Sequence, residues 1–208
     1  WLVIGISGVT CSGKTTLATS LYNFFVNYRN NQLLNTSVLV GDVHVLSQDD
    51  YFRAIDDPQH TWIEALNHIN WEILGAVDSE RMISDIQNIL KDDPVLCDTE
   101  NSSRSFQEQQ RINILIVEGF LIFNQPQILE LCKVKFHLHL PYEKCFARRS
   151  CRVYTPPDVI GYFEMCVWPM YEKHFREFKD TKNIHILNGD ISKERLFKFA
   201  LTCINKVL

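Results

Sequence analysis

The chain has 208 residues, 46 % of them apolar, and a net charge of −4. That length suits one domain with a central sheet covered on both faces. The balance excludes a nucleic-acid groove, which needs runs of lysine and arginine, and it excludes a disordered chain.

Seven cysteines are scattered without a C-x-x-C pair, the pattern of reduced thiols rather than of a disulfide framework. No apolar run approaches membrane-spanning length. The expected partner is a small molecule, with neither nucleic acid nor membrane involved. A cytoplasmic location and a monomeric state are the default assumptions. The chain opens at Trp1 without a methionine, so a few upstream residues are expected to be missing.

In chain order, Leu2-Val3-Ile4-Gly5-Ile6 reads as a buried strand. It runs into Gly8-Val9-Thr10-Cys11-Ser12-Gly13-Lys14-Thr15, which fits G-x-x-x-x-G-K-[ST] and is followed by Thr16. Glycines let such a loop turn its backbone N–H groups onto phosphate oxygens; Lys14 adds a cation, and the Thr15 hydroxyl is a ligand for Mg²⁺. Leu17, Leu21, Phe24 and Phe25 then recur at helical spacing, predicting a helix over 14–29. An accidental glycine turn competes with this reading, but strand, loop and helix occur in the order that triphosphate binding requires.

The apolar residues of 38–46 read as one interrupted strand or two short ones, with a hairpin turn or bulge at Gly41-Asp42. Ser47-Gln48-Asp49-Asp50-Tyr51-Phe52 follows at the strand's C-terminal end, where open α/β sheets bind ligands. Residues 56–58 form a turn, and 62–70 carry no clear signal. Periodicity predicts a helix over 72–91 and polarity a surface loop over 98–110. Ile112-Asn113-Ile114-Leu115-Ile116-Val117 is the strongest strand signal and ends at Glu118-Gly119. A strand over 134–140 stops at Pro141, which opens a helix reaching 152. Residues 154–158 cannot be helical. An aromatic-rich helix over 161–178 is kinked near Pro169, and a strand over 184–187, a turn and a helix over 193–206 close the chain. This alternation predicts an α/β fold with a central, mainly parallel sheet and helices on both faces.

Asp49 and Asp50 are candidates for metal binding and for taking the nucleophile's proton, although they equally suit a polar capping turn. Glu118, beside five apolar strand residues, needs a partner or a metal. Arg148, Arg149 and Arg152 converge on one side at helical spacing, either as a lid over phosphates or as a solvated basic face. His137 and His139 share a strand face, but no third zinc ligand has a persuasive spacing. Residues 158–161 match the D-x-x-G of GTPase switches in letters only.

These blocks, together with Val117-Glu118-Gly119-Phe120-Leu121-Ile122-Phe123-Asn124, Gly161-Tyr162-Phe163 and Val167-Trp168-Pro169-Met170-Tyr171, make the chain resemble the nicotinamide riboside kinases. That family lies in the uridine-kinase-like branch of the P-loop kinases, and the likeness covers nearly the whole chain. The resemblance implies a single kinase domain over 1–208 with a small arginine-containing lid over about 149–160. It implies ATP and Mg²⁺ as cofactors and transfer to a nucleoside 5′-hydroxyl. By position, Asp49 would be the general base, with Thr15, Asp49 and Glu118 around the metal. Arg148 and Arg152 would face ATP, Arg149 the substrate, and Ile191 and Ser192 the adenine. Asp50, Tyr51, Phe52 and Thr155 would border the substrate. Trp71-Glu72 stands where the family has an aromatic-Asp pair gripping the ribose diol, and the stretch 62–67 offers a second register without an acid. Trp71 and Tyr154 would sandwich a cationic ring, unless Tyr154 is a packing aromatic of the lid. Uridine or another nucleoside is the alternative substrate, and a binding adaptor without turnover the remote one.

Overall fold

Residues 1–31, 38–91 and 110–208 are described by a computed structural model. In chain order they form β1 (Leu2–Gly8), α1 (Lys14–Asn31), β2 (Val38–Ser47), β3 (Trp62–Ile63), β4 (His68–Ile69), α2 (Ser79–Lys91) and β5 (Gln110–Glu118). These are followed by α3 (Pro126–Leu131), β6 (Val134–His139), α4 (Tyr142–Arg149), α5 (Trp168–Phe178), β7 (Ile184–Asn188) and α6 (Lys193–Ile204). One sheet has the order β2-β5-β1-β6-β7, and every pairing in it is parallel. β3 and β4 form a separate antiparallel ribbon.

A parallel sheet buried on both faces needs strands that are apolar throughout, and β1 is buried at all of its positions. On one face, Leu17, Leu21 and Phe25 of α1 pack with Leu196, Ala200 and Ile204 of α6. On the other lie Met82 and Ile86 of α2, Ile128 of α3 and Phe178 of α5. Burying each of the Leu, Ile, Met and Phe side chains among them contributes roughly 1.5–3 kcal/mol. A third cluster, of Val9, Leu140, Cys145, Tyr162 and Phe163, supports the glycine loop from below.

Several boundaries differ from those predicted. The interrupted strand is one strand, β2, with a register shift between Val40 and Val43, where Asn113 accepts the amide of Asp42 at 2.9 Å. The helix expected over 72–91 starts at Ser79, because Asp78 accepts the Arg81 amide as a cap and Val77 bridges to Phe52 in extended conformation. The unassigned stretch 62–70 is the β3–β4 ribbon, turned by Asn67 in the left-handed region. α4 ends at Arg149, three residues early, where the Ser150 hydroxyl donates to the Phe146 carbonyl. The kink near Pro169 is a π-helical turn over Phe163–Val167 with the proline in the first turn of α5. The loop expected over 98–110 lies outside the described residues as far as 109. No helix among the described residues is long and apolar enough to cross a membrane.

His137 and His139 both meet the hydroxyl of Tyr171, at 3.2 and 2.7 Å. His137 is also stacked on Phe175, with ring centroids 4.8 Å apart. Burial, with Lys14 and His139 nearby, pushes the His137 pKa down from 6.5 to about 3. Between those values the unfolded chain binds the extra proton, so stability falls as pH drops below 6.5. Thermal unfolding of His137→Gln, scaled to its own value at pH 7, is expected to show a flatter acid limb. The difference is up to roughly 1.4 kcal/mol per pH unit, and parallel limbs would remove this role.

Candidate active site

The strands end their C-termini along one edge of the sheet, and the chemistry collects there. Register places Ile6 of β1 beside Glu118 of β5, and Glu118 beside Ser47 of β2. The glycine loop leaves β1 next to β6, with the Val9 amide on the Leu138 carbonyl at 3.1 Å. Gly8 has φ +155°, and a Cβ there would run into that same carbonyl oxygen. Gly13, with φ +96°, makes the turn into α1. The first amides of α1 have no acceptor within the helix and carry its positive end, a ready-made anion site. Lys14 donates to the Val9 carbonyl at 3.1 Å, folding its ammonium over the loop.

Behind the loop, Glu118 is buried and one of its oxygens, Oε1, accepts from both Thr15 (3.0 Å) and Ser47 (2.7 Å). Ser47 also accepts the Asp49 amide at 3.4 Å, which starts the 3-10 turn Gln48–Tyr51. Asp49 is exposed on that turn. The three predicted metal-side residues are thus linked through Ser47, which sequence reasoning missed as a functional residue although it begins the Ser-Gln-Asp-Asp block.

A cavity of about 470 Å³ opens in front of this edge. Its phosphate wall is made by Thr10, Cys11, Gly13, Lys14, Thr15 and Thr16. Asp49 lies in the lining, and the far wall has Phe52, Trp71, Glu72, Arg149, Arg152, Tyr154 and Thr155, meeting the loop where the Tyr154 hydroxyl lies 3.4 Å from Thr10 Oγ1. Arg53, Ile55, Phe120, Pro156 and Asp158 also line it and were not singled out from the sequence. For Asp158 a signal existed, since an acid closes the double-proline stretch that follows the arginines.

Arg149 is the hub of the far wall. It is 8 % exposed and reaches Glu72 at 3.2 Å and Asp158 through two bonds of 2.7 and 3.1 Å. Its guanidinium lies over the Tyr154 ring at 4.6 Å. One face of Tyr154 is therefore taken by Arg149. Trp71 meets Phe52 and His60 edge-on, at 5.8 and 4.6 Å, and its amide is held by the Tyr162 hydroxyl at 3.0 Å.

Other predicted site residues sit elsewhere. Tyr51 is buried, with its hydroxyl on Asp85 at 2.8 Å, because the 3-10 turn directs it into the core away from the cavity. Asp50 points to solvent outside the cavity lining. Arg148 does not line the cavity either; it ties Cys11 and Gly189 carbonyls (3.2 and 3.1 Å) to the Asp190 carboxylate (2.8 Å). Arg152 has left the helix and reaches the cavity from the loop, so the arginines do not converge by helical spacing. Ser192 caps α6 by accepting the Arg195 amide, and Ile191 beside it is partly exposed. Trp62, the aromatic of the second register, is exposed and outside the lining.

Nicotinamide riboside kinase 1 of Mus musculus is 38 % identical over 201 residues, covering 94 % of this chain and 89 % of that protein. Nicotinamide riboside kinase 2 of Mus musculus is 33 % identical over 208 residues, covering 100 % of this chain and 97 % of that one. The chain belongs to the nicotinamide riboside kinase family. A uridine kinase of Lactiplantibacillus plantarum is more distant, 28 % identical over 198 residues, or 90 % of this chain and 87 % of that one. No family model matches. Among solved structures, a sugar kinase from Janibacter sp. HTCC2649 superposes with a TM-score of 0.51 at 14 % identity over 98 % of this chain and 94 % of the other. A gluconokinase from Sinorhizobium meliloti 1021 gives 0.51 at 11 % identity, over 99 % and 93 %. These two establish the fold, that of an α/β kinase.

In this nicotinamide riboside kinase family member, charge is balanced closely across the far wall. Burial pushes the Glu72 carboxyl up, and the Arg149 guanidinium pulls it back. Burial alone would lower the pKa of Arg149, but Glu72 and Asp158 reverse it, so the cation is secure. The donors near the loop are oxygens of Thr15, Ser47, Asp49 and Glu118, a set suited to Mg²⁺. Among the described residues, no group of three or more His, Cys, Asp or Glu could hold an ion by itself.

Proposed function

We propose that this protein transfers the γ-phosphoryl group of ATP to the 5′-hydroxyl of nicotinamide riboside, giving nicotinamide mononucleotide. The observation that carries the proposal is the cavity, whose lining includes Lys14 and Thr15 of the glycine loop together with Asp49, Trp71, Glu72 and Tyr154. Asp49 takes the proton from the 5′-hydroxyl as its oxygen attacks phosphorus. Lys14 and the loop amides hold the donor's phosphates, and Arg152 brings a cation from the lid over about 149–160. Arg148 holds the loop against residues 189–190, next to Ile191 and Ser192, which cover the adenine. Thr15 and Asp49 would hold Mg²⁺ with Glu118 behind them, and the ion, when bound, neutralises charge on the phosphates.

Glu72 accepts from the ribose diol, and Arg149 fixes its orientation from the substrate side. Its carboxylate has two acceptor oxygens for two hydroxyls. Trp71 and the face of Tyr154 opposite Arg149 receive the ring, and a pyridinium gains cation–π attraction there that neutral uracil does not. The chain works as a single domain, as a monomer, and in the cytoplasm, where free thiols such as those of Cys11 and Cys151 stay reduced.

The uridine kinases among the relatives make uridine the competing substrate. A side-by-side assay with ATP and Mg²⁺ is expected to give kcat/KM for nicotinamide riboside at least about tenfold above that for uridine. Faster uridine turnover would overturn the substrate assignment.

A further inference from the structure

Asp49 is held in an unusual way. Among the described residues its carboxylate has no hydrogen bond, so its position depends on the turn that carries it. The front of that turn is pinned to the sheet: Ser47 donates to Glu118, and the Gln48 side-chain oxygen accepts the Leu121 amide at 2.9 Å. The back of the turn is pinned by the start of α2. The Arg81 guanidinium donates to the Asp50 carbonyl at 2.6 Å and lies over the Tyr51 ring at 4.6 Å. One helical turn on, Asp85 accepts the Tyr51 hydroxyl at 2.8 Å. The Asp78 amide donates to the Tyr51 carbonyl at 2.8 Å, closing the attachment.

We propose that Arg81, assisted by Tyr51 and Asp85, is a positioning residue for the phosphoryl-transfer step, fixing the Asp50–Tyr51 peptide so that the Asp49 carboxylate meets the substrate hydroxyl. Asp50 O belongs to the Asp50–Tyr51 peptide, the second after the Asp49 Cα, and Arg81 holds it with a charged donor while stacking on the next side chain. A loose turn would leave Asp49 as a carboxylate of the right chemistry in the wrong place, and a displacement of about 1 Å at a reacting group lowers rate by as much as a hundredfold. Arg81 touches neither the phosphate loop nor the far wall, so its effect falls on kcat and not on ATP binding.

This proposal rests on Asp49 as the general base, and a double-mutant cycle separates the two. Arg81→Met, which keeps the stem and removes the donors, is expected to lower kcat about fivefold with KM for ATP within about twofold. Arg81→Lys, which retains a cation, is expected to recover part of the loss. Introduced into Asp49→Asn, Arg81→Met should lower the residual rate no further. A kcat for Arg81→Met within about twofold of the parent's, or an equal fold-loss in both backgrounds, overturns the positioning role and leaves Asp49 untouched. Full turnover by Asp49→Asn overturns the base assignment and this proposal with it. If Arg81→Met fails to fold, Tyr51→Phe takes its place. It removes the hydroxyl bonded to Asp85 and is expected to lower kcat about twofold to threefold in the parent only. No loss there overturns the proposal.

Discussion

Asparagine at position 49 is expected to lower kcat at least about a hundredfold while leaving ATP affinity within about twofold. Asparagine matches aspartate in shape, so the 3-10 turn and its attachments to Glu118, Leu121 and Arg81 remain. What disappears is the acceptor assigned to the hydroxyl proton, and with it one carboxylate oxygen proposed to hold Mg²⁺. The other acids of the site are already engaged: Glu118 with Thr15 and Ser47, and Glu72 and Asp158 with Arg149. None of them is available to act as a substitute base. Steady-state kinetics with nicotinamide riboside varied at saturating ATP, together with a nucleotide titration of the variant, would check both halves. Turnover near that of the parent would remove Asp49 from the role.

Arg149→Met should damage both stability and activity. The guanidinium is nearly buried between two carboxylates, and its loss leaves Glu72 as an uncompensated charge in a site where it is 9 % exposed. Breaking such a pair costs about 3 kcal/mol, the low end of the usual range because the cavity admits water. For a chain of this size that is a fall in Tm of roughly 6–12 °C. Activity should fall at least about a hundredfold in kcat/KM for the riboside, because Glu72 and Tyr154 both take their orientation from Arg149. Arg149→Met with Glu72→Gln distinguishes the two effects: removing the stranded charge should restore most of the Tm and none of the activity. A single variant that melts with the parent would show that the pair contributes nothing to stability.

Much of this architecture was legible beforehand because it depends on local rules. The glycine loop is recognisable because only certain residues tolerate its backbone, and β1 and β5 because a strand buried on both faces must be apolar along its length. Glu118 stood out for the same reason, as an acid at the end of an apolar run. The α2 boundary was misread because Leu74 and Val77 continue the helical period by chance, while the Asp78 cap that begins the helix is a weaker signal. Tyr51 was misassigned because adjacent residues on a tight turn face opposite ways, and the block Asp49-Asp50-Tyr51-Phe52 does not say which of them face the cavity.

The sequence by itself determined the nucleotide-binding loop, the parallel α/β class and the acids at the strand ends, since each follows from residue type and spacing within a short window. Only the tertiary structure decided how Arg149 is divided between Glu72, Asp158 and Tyr154, that Ser47 joins Glu118 to the Asp49 turn, and that Arg81 braces that turn from α2. Those contacts join residues between 5 and 77 positions apart, and their geometry is set by the packing of whole helices on the sheet. No local pattern encodes a distance between two elements.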